Sequence, residues 1–228
     1  MDRSINVFSD SASLIFRAML KDPSKKWTVP SFTEEGVSLG LASMVINQAE
    51  SLGYIEHIRR VAGESYCRLL RKDLLLKDWV NFYSFERNPK NTYFYQGGDI
   101  LKELNKFMKK KERKYALTLY SASRLISPYV KDERDFVYLD VDPRQAKVFF
   151  KELETRLTLQ KALSGGNVCF AIPFYKCSIF RDSRIIKSFP VVSDLQLYLD
   201  LMGFPPVGRQ EVEENLLPLW RKKGVSFV

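Results

Sequence analysis

The stretch from Ser38 to Arg71 constrains the fold more than any other. "SLGLASMVINQAESLG" carries Leu39, Ala42, Val45 or Ile46, Ala49 and Leu52 on one apolar stripe, the 3.6-residue period of an amphipathic helix. Ser38 suits its N-cap, and Gly53 can take the left-handed conformation in which many helices stop. The chain then passes directly into "YIEHIRR", a turn "VAGES" and "YCRLLR", a hairpin with Gly63 at its tip. Upstream, Leu14, Ile15, Ala18 and Met19 repeat at helical spacing, with Ser11 or Ser13 as N-cap, and a second short helix opens at Ser31. Helix, helix, helix, hairpin is the order of a winged helix-turn-helix. Such a module either reads DNA or serves as a docking or dimerisation surface.

The rest of the chain reads as a second, mixed domain. "DLLLKDWVNFY" is a helix followed by an irregular aromatic connection, and "GGDILKELNKFMKKKERK" is a helix with a basic tail from Lys106 to Lys114. That tail is either a solvated helix end, favoured by the dipole, or a phosphate-contacting patch. "DFVYLDVDP" and "NVCFAIPFY" read as strands, "RQAKVFFKELETRL" and "SDLQLYLDLMGF" as helices, and "RQEVEENLLPLWRKKG" as a last amphipathic helix. Strands interspersed with helices make the expected fold class α+β, a mixed α/β architecture. The expected division is a winged helix over 1–72, a helical linker over 73–98 and an α/β domain over 99–228, itself of a shape that nucleotidyltransferase folds share.

Composition narrows the function. The chain has 228 residues, 45% hydrophobic and 28% charged, so it can bury a sizeable core and is not of the disordered class. A net charge of +9 and a pI near 9.4 favour a polyanionic partner such as nucleic acid. Three cysteines, odd in number and without a histidine cluster, predict neither structural zinc nor a disulfide framework, and a reducing cytoplasm is the expected compartment. No membrane span and no signal peptide is read. The single histidine, His57, excludes most triad and acid–base chemistry and is expected to be structural or to contact a backbone. P-loop, GxGxxG, GxSxG and HExxH patterns are all missing, so no catalytic residue, cofactor or metal is predicted.

If the module binds DNA, the third helix offers Ser38, Ser43, Asn47 and Gln48 to the major groove. Asn and Gln can pair bidentately with adenine. No Lys or Arg lies between Ser38 and Ser51, so the cations come from the wing, where Arg59 and Arg60 flank the turn and Arg68 and Arg71 return. One constellation points to chemistry instead. Asp140 and Asp142 are two apart in "VYLDVDP", the spacing that puts two carboxylates on one face of a strand for Mg²⁺ and nucleotide phosphates. The accompanying phosphate loop would fall at "TLYSASRL", which supplies Ser121 and Ser123 but no glycine. The alternative role for the two aspartates is a turn before Pro143.

"FPVVSDLQLYLDLMGFPPVGRQEVEENLL" resembles a C-terminal signature of AbiEi-type antitoxins of type IV toxin–antitoxin systems. Val192, Ser193, Gln196, Tyr198, Leu199, Asp200 and Leu201 match it, whereas Gly208 and Arg209 stand in reversed order. "YALTLYSASRLISPYV" and "LLKDWVNFY" are similar to the family's middle segments. The resemblance implies a two-domain transcriptional regulator. Its winged helix would bind an operator in double-stranded DNA, as a homodimer on a palindrome, and repress its own operon. Its second domain would counter a cognate nucleotidyltransferase-like toxin. The residues themselves leave open an enzyme built on Asp140 and Asp142, and a protein-docking module.

Overall fold

The computed structural model describes residues 5–59, 65–127, 132–204 and 207–228. The chain forms two compact units, Met1–Tyr83 together with Trp220–Val228, and Ser84–Leu219. In the first, α1 (Asp10–Lys21) precedes a short 3₁₀ turn (Pro30–Thr33), α2 (Leu39–Ser51), the strands β1 (Ile55–Ile58) and β2 (Tyr66–Leu69), and α3 (Lys72–Phe82). β1 and β2 pair antiparallel, with His57 opposite Cys67. Trp27 exchanges two backbone hydrogen bonds with Cys67, at 2.8 and 2.7 Å, so the hairpin gains a third, one-residue strand. The Trp27 ring stacks on Phe32 at 5.1 Å, which ties the 3₁₀ turn to that sheet. The order is helix, 3₁₀ turn, helix, hairpin, so the second helix expected from Ser31 is a single 3₁₀ turn. The tip of the hairpin, with Arg60 and Gly63, lies outside the described residues.

Local signals explain the ends of α2. The Ser38 side chain accepts from the Leu41 amide, and Gly53 takes φ +75° so that Tyr54 can donate back to the Ala49 carbonyl at 3.0 Å. Ala42, Val45, Ile46 and Ala49 are buried, but Leu39 and Leu52, expected on the same stripe, are 53% and 41% exposed. They sit at the two ends of the helix, where it runs past the core. α1 starts one turn earlier than its sequence suggests. Ser9 is its N-cap, and Ser13, expected as a cap, is inside the helix and donates to the Asp10 carbonyl.

The core of the first unit is aromatic. Phe8, Phe16, Tyr54 and Trp79 form a cluster with ring centroids 5.8 to 6.2 Å apart. The C-terminal segment joins it. Lys72 donates to the backbone carbonyls of Ser226 and Val228, Ser226 donates to the Leu20 carbonyl at 2.6 Å, and the buried Trp220 and Phe227 rings meet edge to face. Trp220–Val228 thus belongs with the first unit and not with the domain that the sequence extends over 99–228.

The second unit is built on a seven-stranded sheet. Its strands are β3 (Lys90–Phe94), β4 (Tyr115–Leu117), β5 (Asp135–Leu139), β6 (Gln160–Lys161), β7 (Val168–Ala171), β8 (Arg184–Ile186) and β9 (Phe189–Val191), in the order β6-β3-β7-β5-β4-β9-β8. β5 runs parallel to β7 and β4 to β9, and the other neighbours are antiparallel. The central β4, β5 and β7 are buried almost throughout, the mark of strands covered on both faces. The helices are α4 (Ile100–Lys110), α5 (Leu119–Ile126), α6 (Ala146–Leu157) and α7 (Asp194–Met202). α4 meets α6 through Phe107 and Phe149, and α5 packs on β5 and α7. The stretch 73–98, expected as a linker, instead supplies α3 to the first unit and β3 to this sheet.

A last helical run follows α7, as α8 (Val207–Glu211), a π-helical turn (Val212–Leu216) and α9 (Leu217–Lys222). Pro218, which has no amide hydrogen to donate, follows the widened turn. Gly208 is where α8 meets α7. A Cβ there would lie 2.2 Å from the Leu201 carbonyl oxygen. The fold is mixed α+β, as the pattern of the sequence predicts.

Candidate nucleic-acid interface

The outer face of α2 carries the side chains that the sequence assigns to the major groove. Ser38, Ser43 and Asn47 are exposed, and Gln48 is half-buried. Their chemistry is not equivalent. Ser38 is occupied as the cap, and the Gln48 amide donates to Ser51, whose hydroxyl donates back to the Gln48 carbonyl. The Asn47 amide makes no hydrogen bond among the described residues, so it is the group on this face ready to pair bidentately with a base edge. Met44 and Leu39, 51% and 53% exposed, give the face an apolar component suited to a thymine methyl.

The wing cations are held close to home. Arg59 makes a two-pronged pair with Glu50 in the last turn of α2, Nη1 to Oε1 at 2.9 Å and Nη2 to Oε2 at 2.5 Å. The fork ties the end of β1 to the helix and holds the Glu50 carboxyl below the usual carboxylate range. His57 Nδ1 stands 4.0 Å from the same carboxylate. Arg68 pairs with Glu56 across the hairpin at 2.6 Å. Sequence reasoning missed two cations, Lys25 and Lys26. They precede the Trp27 bridge, and their ammonium groups lie 4.0 Å from the Trp27 ring and 5.1 Å from the Tyr66 ring. A lysine pair directly before an aromatic residue was the available signal.

The carboxylates of the alternative reading are built as a turn. β5 ends at Leu139, so Asp140 and Asp142 lie beyond the strand and not on one of its faces. The Asp142 carboxylate accepts from the Arg144 amide at 2.9 Å and from its guanidinium at 2.7 Å. The Arg144 guanidinium, with the Arg144 amide, pulls its pKa down to about 2. Ser121, at the place of the phosphate loop, donates to Asp135 and accepts from the Phe136 amide, a clamp between α5 and β5. Among the described residues no group of His, Cys, Asp and Glu is placed to hold a metal ion.

The signature segment of α7 forms a buried polar cluster in the second unit. Ser193 caps α7 by accepting from the Gln196 amide. Asp200, fully buried, receives Thr118 Oγ1 at 2.5 Å on one oxygen, and Tyr138 Oη at 2.9 Å and Gln196 Nε2 at 2.8 Å on the other. Asn88 donates in turn to the Tyr138 hydroxyl. Residues far apart in the chain are thereby joined at the junction of β4, β5 and α7.

A family model described as transcriptional regulator, AbiEi antitoxin, type IV TA system matches residues 68–213, more than half of the chain. The matched region takes in the end of β2, α3 and the second unit as far as Glu213, and leaves α1, α2 and β1 outside. No curated protein and no solved structure matches the chain. No helix among the described residues is long and apolar enough to cross a membrane.

Proposed function

Since the chain belongs to the AbiEi antitoxin family of transcriptional regulators in type IV toxin–antitoxin systems, we propose that its first unit reads an operator upstream of its own gene and represses that operon. The observation that carries the reading is the outer face of α2, where Asn47 stands exposed and unengaged beside Ser43 on a helix whose opposite side is core. In this reading α2 enters the major groove with Ser38, Ser43, Asn47 and Gln48. Arg59, Arg60 and the Lys25–Lys26 pair meet phosphates. The protein acts as a homodimer on a palindrome, and the second unit counters a cognate nucleotidyltransferase-like toxin. Asp140 and Asp142 have no catalytic part.

The test is an anisotropy titration against a duplex from the protein's own upstream region, beside a scrambled duplex, at two salt concentrations. A preference for the native duplex that persists at the higher salt supports a reading head. Equal and steeply salt-dependent binding to both refutes it, because a basic protein then meets only a polyanion. Asn47→Ala should lower the preference by about 1–3 kcal/mol without equal loss on the scrambled duplex.

A further inference from the structure

The single histidine of the chain stands beside the ion pair that ties β1 to α2. Side chains alternate along a strand, so His57 and the following Arg59 leave β1 on one side, toward Glu50 in the last turn of α2. Glu56 pairs with Arg68 instead. Arg59 takes both oxygens of Glu50, and His57 Nδ1 lies 4.0 Å from Oε2, one of the same two. That ring nitrogen is buried and has no hydrogen-bond partner among the described residues. A buried polar atom left unpaired is costly, and the Glu50 carboxylate is the acceptor within a small turn of the ring.

The neighbouring groups leave this pairing to histidine and arginine. On β2, Cys67 lies opposite His57, and burial pushes its thiol up to about 12, so it stays neutral. The Lys25 and Lys26 ammonium groups lie over the Trp27 and Tyr66 rings. The Arg59 guanidinium holds the Glu50 carboxyl below the usual carboxylate range, so the anion persists over the pH range in which histidines titrate. An imidazolium donates from both ring nitrogens, and its charge strengthens the bond to a carboxylate. The fork of Arg59 needs both Glu50 oxygens, so an imidazolium on Oε2 leaves the arginine with Oε1 alone.

We infer that His57 and Arg59 compete for the Glu50 carboxylate, so that protonation of His57 opens the two-pronged pair and frees the Arg59 guanidinium for a phosphate. The first unit then grips DNA more tightly as the pH falls. That consequence rests on the operator-binding reading, whereas the competition itself does not. Histidine is the side-chain type that ordinarily titrates between about pH 5 and 8, and the sequence has one, so the effect can be traced to a single group.

The competition is measured in the free full-length protein, by NMR of the imidazole and arginine side chains from about pH 8 to about pH 5.5. The Arg59 signal, identified by its loss in Arg59→Ala, should move with the same midpoint as the His57 ring and stay still in His57→Gln. An Arg59 signal that ignores the His57 titration overturns the proposal. The second measurement is an anisotropy titration of a random-sequence duplex at both ends of that pH range. The parent should bind roughly threefold to tenfold more tightly at the lower pH, with a salt slope steeper by about 1. His57→Gln should lose this pH dependence, and Glu50→Gln should bind at both pH values as the parent does at the lower one. Equal affinity of the parent at the two pH values, or full tightening in His57→Gln, also overturns it. A chain that binds no duplex at either pH refutes the operator reading instead, and the NMR titration then decides the competition.

Discussion

Replacing Asp200 by Leu keeps the forked shape of the side chain, in a bulkier form, and removes every acceptor from it. Three donors then point at hydrocarbon: the Thr118 hydroxyl, the Tyr138 hydroxyl and the Gln196 amide. Each buried donor left without a partner costs about 1–3 kcal/mol. Thr118 and Tyr138 can turn their hydroxyls toward other acceptors, so the lower half of the sum applies, about 3–6 kcal/mol. That is a large fraction of the roughly 5–15 kcal/mol by which a domain is stable. Asp200→Asn retains an acceptor and lets Thr118 accept from the new amide, so it should cost only about 1–2 kcal/mol. Urea unfolding followed by far-UV circular dichroism measures both. All three tryptophans, Trp27, Trp79 and Trp220, belong to the first unit, so their fluorescence reports on the other half of the molecule separately. A double-mutant cycle with Thr118→Val should give a coupling of about 1–3 kcal/mol. An Asp200→Leu variant within about 1 kcal/mol of the parent, with additive effects in the cycle, would refute the view that this network holds the second unit together.

Other consequences can be measured at single sites. Arg59→Ala should weaken binding to every duplex and flatten the salt slope by about 1, whereas Glu50→Gln, which frees Arg59 from its two-pronged pair, should tighten it; an unchanged slope in Arg59→Ala means that the arginine never reaches a phosphate. The Asp142 carboxyl should titrate near pH 2 by carbon-13 NMR, and Arg144→Ala should return it toward the usual carboxylate range. Because its pKa is depressed in the folded state, its favourable contribution is present above the unfolded pKa and disappears as pH falls through about 2. Lys187 and Ser188 both sit at positive φ, +47° and +72°, in the two-residue turn between β8 and β9. Replacing them by Asn-Gly should raise stability by roughly 1 kcal/mol, and a lower melting temperature would show that the turn has another form.

What could be read from the sequence follows the range of the forces involved. The helix-to-hairpin stretch was legible because its signals are local: a capping serine, a glycine stop and two periods in succession. β3 was not, since Lys90–Phe94 is a short run behind Pro89 whose partners, β7 and β6, come more than sixty residues later. The pair Arg59–Glu50 was equally invisible, because it depends on where β1 leaves the end of α2. In the signature segment Gln196 and Asp200 were recognisable as residues, but their purpose depends on Thr118 and Tyr138 in other strands.

The return of Trp220–Val228 to the first unit bears on the order in which the protein comes into being. The second unit is one continuous stretch and can fold as soon as it leaves the ribosome. The first unit has to wait with Trp220 and Phe227 missing from its core while Ser84–Leu219 is made, a delay on the order of ten seconds at ordinary rates of synthesis. A nascent chain therefore completes Ser84–Leu219, which holds most of what the antitoxin family model covers, before it completes the part that would grip an operator.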